Sequence, residues 1–143
     1  MTETTFEPVT VLDVSDKDAC QLIALAREKA SAMSVPVVVC VYSVRDRVRQ
    51  LAWMDGAPQR SGDIATLKAK TSMLTGKPTR ALQEGVQPGK PLHSIDRSNG
   101  GMIVVAGGYP ILHAGQLIGG IGISGGTPDQ DCQIAEFALG IED

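Results

Sequence analysis

Residues 110–130, PILHAGQLIGGIGISGGTPDQ, decide the fold. Pro110 to His113 is a short apolar run, and Ala114-Gly115 makes a tight turn into a second run, Gln116 to Ser124. Two strands joined by so short a connection must pair antiparallel. Gly125-Gly126 then lead to Thr127-Pro128-Asp129-Gln130. This is a capping box with proline at the first helical position, which predicts a terminal helix burying Ile134, Phe137, Ala138 and Ile141.

Working outward, Met102 to Ala106 reads as a further strand ending at Gly107-Gly108. At the other end, residues 1–14 are a polar lead-in. A helix starts at Ser15, with Asp18 returning the capping interaction, and runs to about Ala32 on the period set by Ala19, Leu22, Ile23, Ala26 and Ala30. Val37 to Tyr42 is a β-branched run fit for a strand buried on both faces. After a turn at Arg45, Asp46 and Arg47, the strand Val48 to Met54 pairs back on it. Asp55-Gly56-Ala57-Pro58 breaks the pattern. A second helix spans Gly62 to Thr75, with Ile64, Leu67, Thr71 and Leu74 on one face, and Gly76 and Pro78 end it. A short helical piece, Thr79 to Glu84, precedes the loop 86–100, whose length in a compact domain points to binding. The order predicts one α/β (α+β) domain over residues 1–143, with helices on the faces of a five-stranded, largely antiparallel sheet.

The net charge of −3 comes with no cationic stripe and few aromatic residues, which argues against nucleic acid as a partner. No apolar run is long enough to span a bilayer, and MTETTFEPVT lacks the pattern of a secretory signal. Cys20, Cys40 and Cys132 form no CxxC and read as buried thiols of a reducing compartment, so a cytoplasmic location is expected.

Gly120-x-Gly122-x-x-Gly125 spells a dinucleotide fingerprint but lacks the parallel strand and acidic residue that must follow it. The same glycines fit either close approach of another element or a floor for a flat ligand. On the second reading, the start of the last helix would hold an anion. Asp55 stands at a strand end, as a turn aspartate or a functional acid. Lys68 lies on a helix face as a snorkelling surface lysine or, if buried, as an anion ligand or base. Trp53 is a packed core side chain or a flat wall for a planar ligand. His93, in the long loop, and His113, beside the hairpin turn, are the two histidines. Either, with Met54, Met73 or Met102, has the chemistry of a haem axial ligand. Ser124 lacks the spacing of a nucleophile elbow.

Several segments in this order carry a family resemblance: Met54-Asp55-Gly56-Ala57, Ala65-x-x-Lys68-Ala69-x-Thr71, Gly107-Gly108-Tyr109-Pro110-Ile111, the run Ile118 to Gly126, and Gln130-Asp131-x-x-Ile134-Ala135. The chain resembles the GlcG/HbpS/PduO C-terminal family, also called haem-degrading-domain-like or DUF336. The resemblance implies a profilin-like three-layer α/β/α fold, homo-oligomers from dimers to octamers, and haem or corrinoid-linked binding. Trp53 replaces an arginine common in the family, Ser43 and Asp46 replace an aspartate and a glycine, and the first helix lacks the histidine of some haem-binding members. The expected ligand is haem or another planar anion, held among Trp53, Asp55, Lys68, Thr71, Gly107, Gly108, Gly122, Ser124 and Gly125, with His93 or His113 on a haem iron. The alternative is an accessory catabolic enzyme. In that case Asp55, Lys68 and His93 would do acid/base work (hydrolysis, deamination or isomerisation) on a small carbonyl, imine or ring-derived acid.

Overall fold

A computed structural model describes residues 3–141. Helix α1 (Asp16–Met33) is capped by the Ser15 side chain, which accepts from the Asp18 amide. Strands β1 (Val38–Ser43) and β2 (Arg47–Trp53) form a hairpin, and α2 (Ser61–Thr75) follows. A 3-10 turn at Thr79–Leu82 opens the long loop, and a shorter one, Ile95–Arg97, lies within it. Strands β3 (Gly108–His113) and β4 (Gln116–Ser124) make the second hairpin, and α3 (Pro128–Leu139) starts on the full Thr127–Gln130 capping box.

Among the described residues the sheet has four strands in the order β2-β1-β4-β3, every neighbour antiparallel. Val39, Val41, Ile121 and Ile123 point to one side, where α1 and α3 complete the main core. Val38, Cys40 and Tyr42 point to the other, against Ala65, Ala69 and Met73 of α2. The result is three layers, with β1 buried on both faces.

The expected fifth strand is absent. Met102 to Ala106 joins no ladder and bends at Val105 and Ala106, because its polar backbone groups bond elsewhere. The Ile103 amide donates to Thr71 Oγ1 at 3.0 Å, Thr79 Oγ1 donates to the Val105 carbonyl at 2.7 Å, and the Gln83 side chain donates to the Val104 carbonyl at 3.0 Å. Side chains of α2 and the 3-10 turn thus do the work of a neighbouring strand.

Helix α2 also turns a different face inward from the one its larger apolar residues suggested. Leu74 is exposed, whereas Ala65, Lys68, Ala69, Ser72 and Met73 are buried. The reason lies in the strands beneath. Gly108, Gly120 and Gly122 share the α2 side of the sheet. A Cβ on Gly122 would collide with the Ala65 carbonyl oxygen and lie 2.6 Å from the Ala69 amide; one on Gly120 would collide with the Ala69 carbonyl oxygen. Helix backbone therefore rests directly on strand backbone, which requires small residues on both partners.

Two smaller expectations are corrected. Ile141 lies beyond the end of α3 and is exposed, and Phe137 is only half-buried. Cys20 sits on the outward side of α1 and is exposed, while Cys40 and Cys132 are buried. Burial pushes the Cys40 thiol up to about 11, which disfavours the reactive thiolate. Cys20 is therefore expected to react with a small disulfide reagent well before the other two, with all three reacting in denaturant. Equal native rates would contradict this burial pattern.

Gly122→Ala is expected to cost about 3 kcal/mol or more, since neither backbone can yield locally. Urea unfolding measures it, and a loss below about 0.5 kcal/mol would show that α2 is not seated as described.

Candidate functional site

The long loop and the ends of β4 and α2 leave several hollows, and the polar side chains divide among them. One of them is a cavity of about 180 Å³ between the start of α2 and the start of α3, bordered by the buried Lys68 and Asp131. Arg60, Ser61, Lys68, Ser124, Gly125 and Asp131 contribute its polar side and Ile64, Ile103 and Val105 its apolar side.

Lys68 is only 1% exposed. Its Nζ donates to the Ile123 carbonyl at 2.8 Å and to Asp131 Oδ2 at 3.0 Å. Asp131 Oδ1 in turn accepts the Gly126 amide at 2.9 Å. Burial pushes the Asp131 carboxyl above the usual carboxylate range, while the Lys68 charge and the Gly126 amide pull against that shift. Close by, Ser124 Oγ donates to Ser61 Oγ at 3.2 Å, both side chains being buried. Lys68 and Ser124 thus border one cavity with Gly125, although they stand 56 positions apart in the chain.

The other residues singled out from the sequence lie elsewhere. Thr71 is fully buried and spends its hydroxyl on the Leu67 carbonyl and the Ile103 amide. Gly108 and Gly122 lie under the backbone of α2, and a Cβ on Gly107 would meet the Ile123 carbonyl oxygen at 2.8 Å and Lys68 Nζ at 2.9 Å. The glycine floor is therefore covered by the protein itself. Close approach of another element, the competing reading of these glycines, is what the chain uses. Asp55 is exposed in the turn after β2 and borders none of the hollows described here. Trp53 is 49% exposed, its indole edge over Gly62, and forms part of an open hollow of about 610 Å³ with Arg60.

His93 and His113 are both exposed and occupy different hollows. His113 borders one of about 240 Å³ beside α1. His93 borders one of about 330 Å³ against Met102, Ile103, Val104 and Val105, with Arg97 also on its wall. His93 Nδ1 lies 3.2 Å from the Val86 carbonyl oxygen. Asp55, Lys68 and His93 thus share no common hollow.

Sequence reasoning gave no role to Arg60, Ser61 or Asp131. Asp131 had one available signal: a lysine on a helix face of small residues needs a buried acid, and an acid in the first turn of α3 is a natural partner.

The Lys68–Asp131 pair is expected to behave as a buried ion pair. Lys68→Met or Asp131→Leu alone should cost about 3–5 kcal/mol by leaving one partner stranded, and the double variant Lys68→Met/Asp131→Leu should cost far less than the sum. A double-mutant cycle by denaturant unfolding checks this; additive losses would mean that the contact carries no coupling.

The family model described as haem degrading protein HbpS-like matches residues 14–140. The corrinoid adenosyltransferase PduO of Salmonella typhimurium is 36% identical over 132 residues, which are 91% of this chain and 39% of that protein. This chain thus spans about two-fifths of that relative's length. Among solved structures, protein ORFY of Klebsiella pneumoniae aligns over 97% of both chains with 30% identity and a TM-score of 0.90. A PduOC:heme complex aligns over 92% of this chain and 96% of the other, with 34% identity and a TM-score of 0.85.

Proposed function

This chain belongs to the haem degrading protein HbpS-like family, and from that premise we propose that it is a small-molecule-binding module for haem or a closely related planar, anionic tetrapyrrole. The observation that carries the reading is the anchoring of His93. A carbonyl oxygen only accepts, so in the neutral imidazole the contact with Val86 places the ring proton on Nδ1 and leaves the lone pair on Nε2. That is the arrangement in which a metal-binding histidine is held by an outer partner.

The surroundings of His93 fit the same ligand. Met102, Ile103, Val104 and Val105 offer an apolar wall, and Arg97 on the same wall suits a propionate. At about 330 Å³ the cleft is near the lower end for small-molecule sites, so it would cover only part of a tetrapyrrole. Haem, when bound, would supply an iron centre; the chain supplies the oriented imidazole, the apolar face and one guanidinium, Arg97, with Asp96 beside it. A relative of the same fold, solved as a heme complex, supports the choice of ligand.

Self-association belongs to this reading. Leu51 and Trp53 on β2 and Leu112 on β3 leave large apolar side chains exposed on both edge strands. A second copy is the simplest cover for them.

Titration with haemin is expected to give a saturable Soret shift. His93→Ala should weaken it by more than the ~10–100-fold that loss of an outer-shell partner costs, and His113→Ala should leave it intact. A shift that survives in His93→Ala at unchanged affinity would refute this placement of the ligand.

A further inference from the structure

We infer that the cavity between α2 and α3 is a second, separate binding site, and that it takes a short-chain monocarboxylate through Arg60, Lys68 and the Ser61–Ser124 hydroxyl pair. The volume sets the size class. At about 180 Å³ it holds roughly six water molecules at ~30 Å³ each, the space of a carboxylate with two to four carbons. No tetrapyrrole enters such a space.

Charge sets the sign. Lys68 and Asp131 offset one another at 3.0 Å. Arg60 borders the same cavity and has no ion-pair partner among the described residues, so the cavity carries a net positive charge. Exposure of Arg60 leaves its guanidinium able to swing onto an incoming oxygen.

Unused donors make it a built site. An ammonium has three N–H groups, and Lys68 uses two of them. The Ser61–Ser124 pair has two hydroxyl protons and one bond between them, so one proton lacks an acceptor. Lys68, Ser61 and Ser124 are 1%, 2% and 5% exposed, and buried donors left without acceptors are costly. One carboxylate, with about four lone-pair sites, satisfies both and accepts from Arg60 as well.

The apolar part of the lining sets the chemical class. Ile64, Ile103 and Val105 suit a short alkyl tail and give the outer oxygens of sulfate or phosphate nothing to bond. Ile103 and Val105 also border the His93 cleft, but the two hollows share no polar side chain.

The test uses the full chain and propionate, with the neutral isostere propionamide and inorganic sulfate as comparisons, followed by calorimetry and amide chemical shifts. Propionate is expected to saturate at about millimolar concentration and to shift residues around Ser61 and Ser124, while propionamide does not. Arg60→Gln and Ser124→Ala should each weaken propionate by about tenfold while leaving haemin titration unchanged. Because Arg60 is exposed and serine to alanine is conservative, both variants should fold. Three outcomes would each overturn the site: equal binding of propionamide, sulfate binding as tightly (an adventitious ion only), or no saturation by about 50 mM. Loss of haemin binding in His93→Ala with propionate binding retained would leave the two sites independent, as inferred.

Discussion

The backbone of α2 lies against the backbone of β4 and β3, with no side chain between them. Gly120 and Gly122 meet the Ala69 and Ala65 carbonyls, and a Cβ on Gly108 would stand 2.5 Å from the Lys68 carbonyl oxygen. This contact sets the depth of the helix, and the rest of the architecture follows from that depth. With α2 so close, the Lys68 side chain can pass Gly107 at the end of the sheet and reach Asp131 at the start of α3, in the opposite layer. A bulkier residue on the strand would lift the helix and break that reach. The ion pair and the glycine track are one construction.

Energetically the two differ in kind. Helix-on-strand packing contributes through dense contact and the exclusion of water. The Lys68–Asp131 pair contributes little net stability, because desolvating two charges offsets most of their attraction. What the pair does is fix position: it ties α2, β4 and α3 together at one corner, through Ile123 and Gly126 as well as Asp131. The small cavity persists at this corner because the groups around it are held by one another.

Much of the fold was legible because its signals are local. The Ser15 and Thr127 caps, the glycine ending α2 and the turn between β3 and β4 all act within a few residues. The expected fifth strand failed because Met102 to Ala106 has strand composition while its bonding partners, Thr71, Thr79 and Gln83, are distant in sequence. The inward face of α2 failed for a related reason. Hydrophobic periodicity ranks Leu74 above Ala65 and Ala69, yet a glycine surface selects the smaller side chains. Of the residues expected around one ligand, Lys68, Ser124 and Gly125 border a common cavity. Trp53, Asp55 and the two histidines lie apart from it, because breaks in a pattern mark turns as readily as sites.

The glycine track has a consequence for the gene. Any change in the first two bases of a glycine codon that still encodes an amino acid adds at least one carbon to the side chain. At positions 120 and 122 that carbon has nowhere to go, so such codons tolerate variation only in their third base. Sequence drift in this strand is left to the residues between the glycines, whose side chains face the other layer.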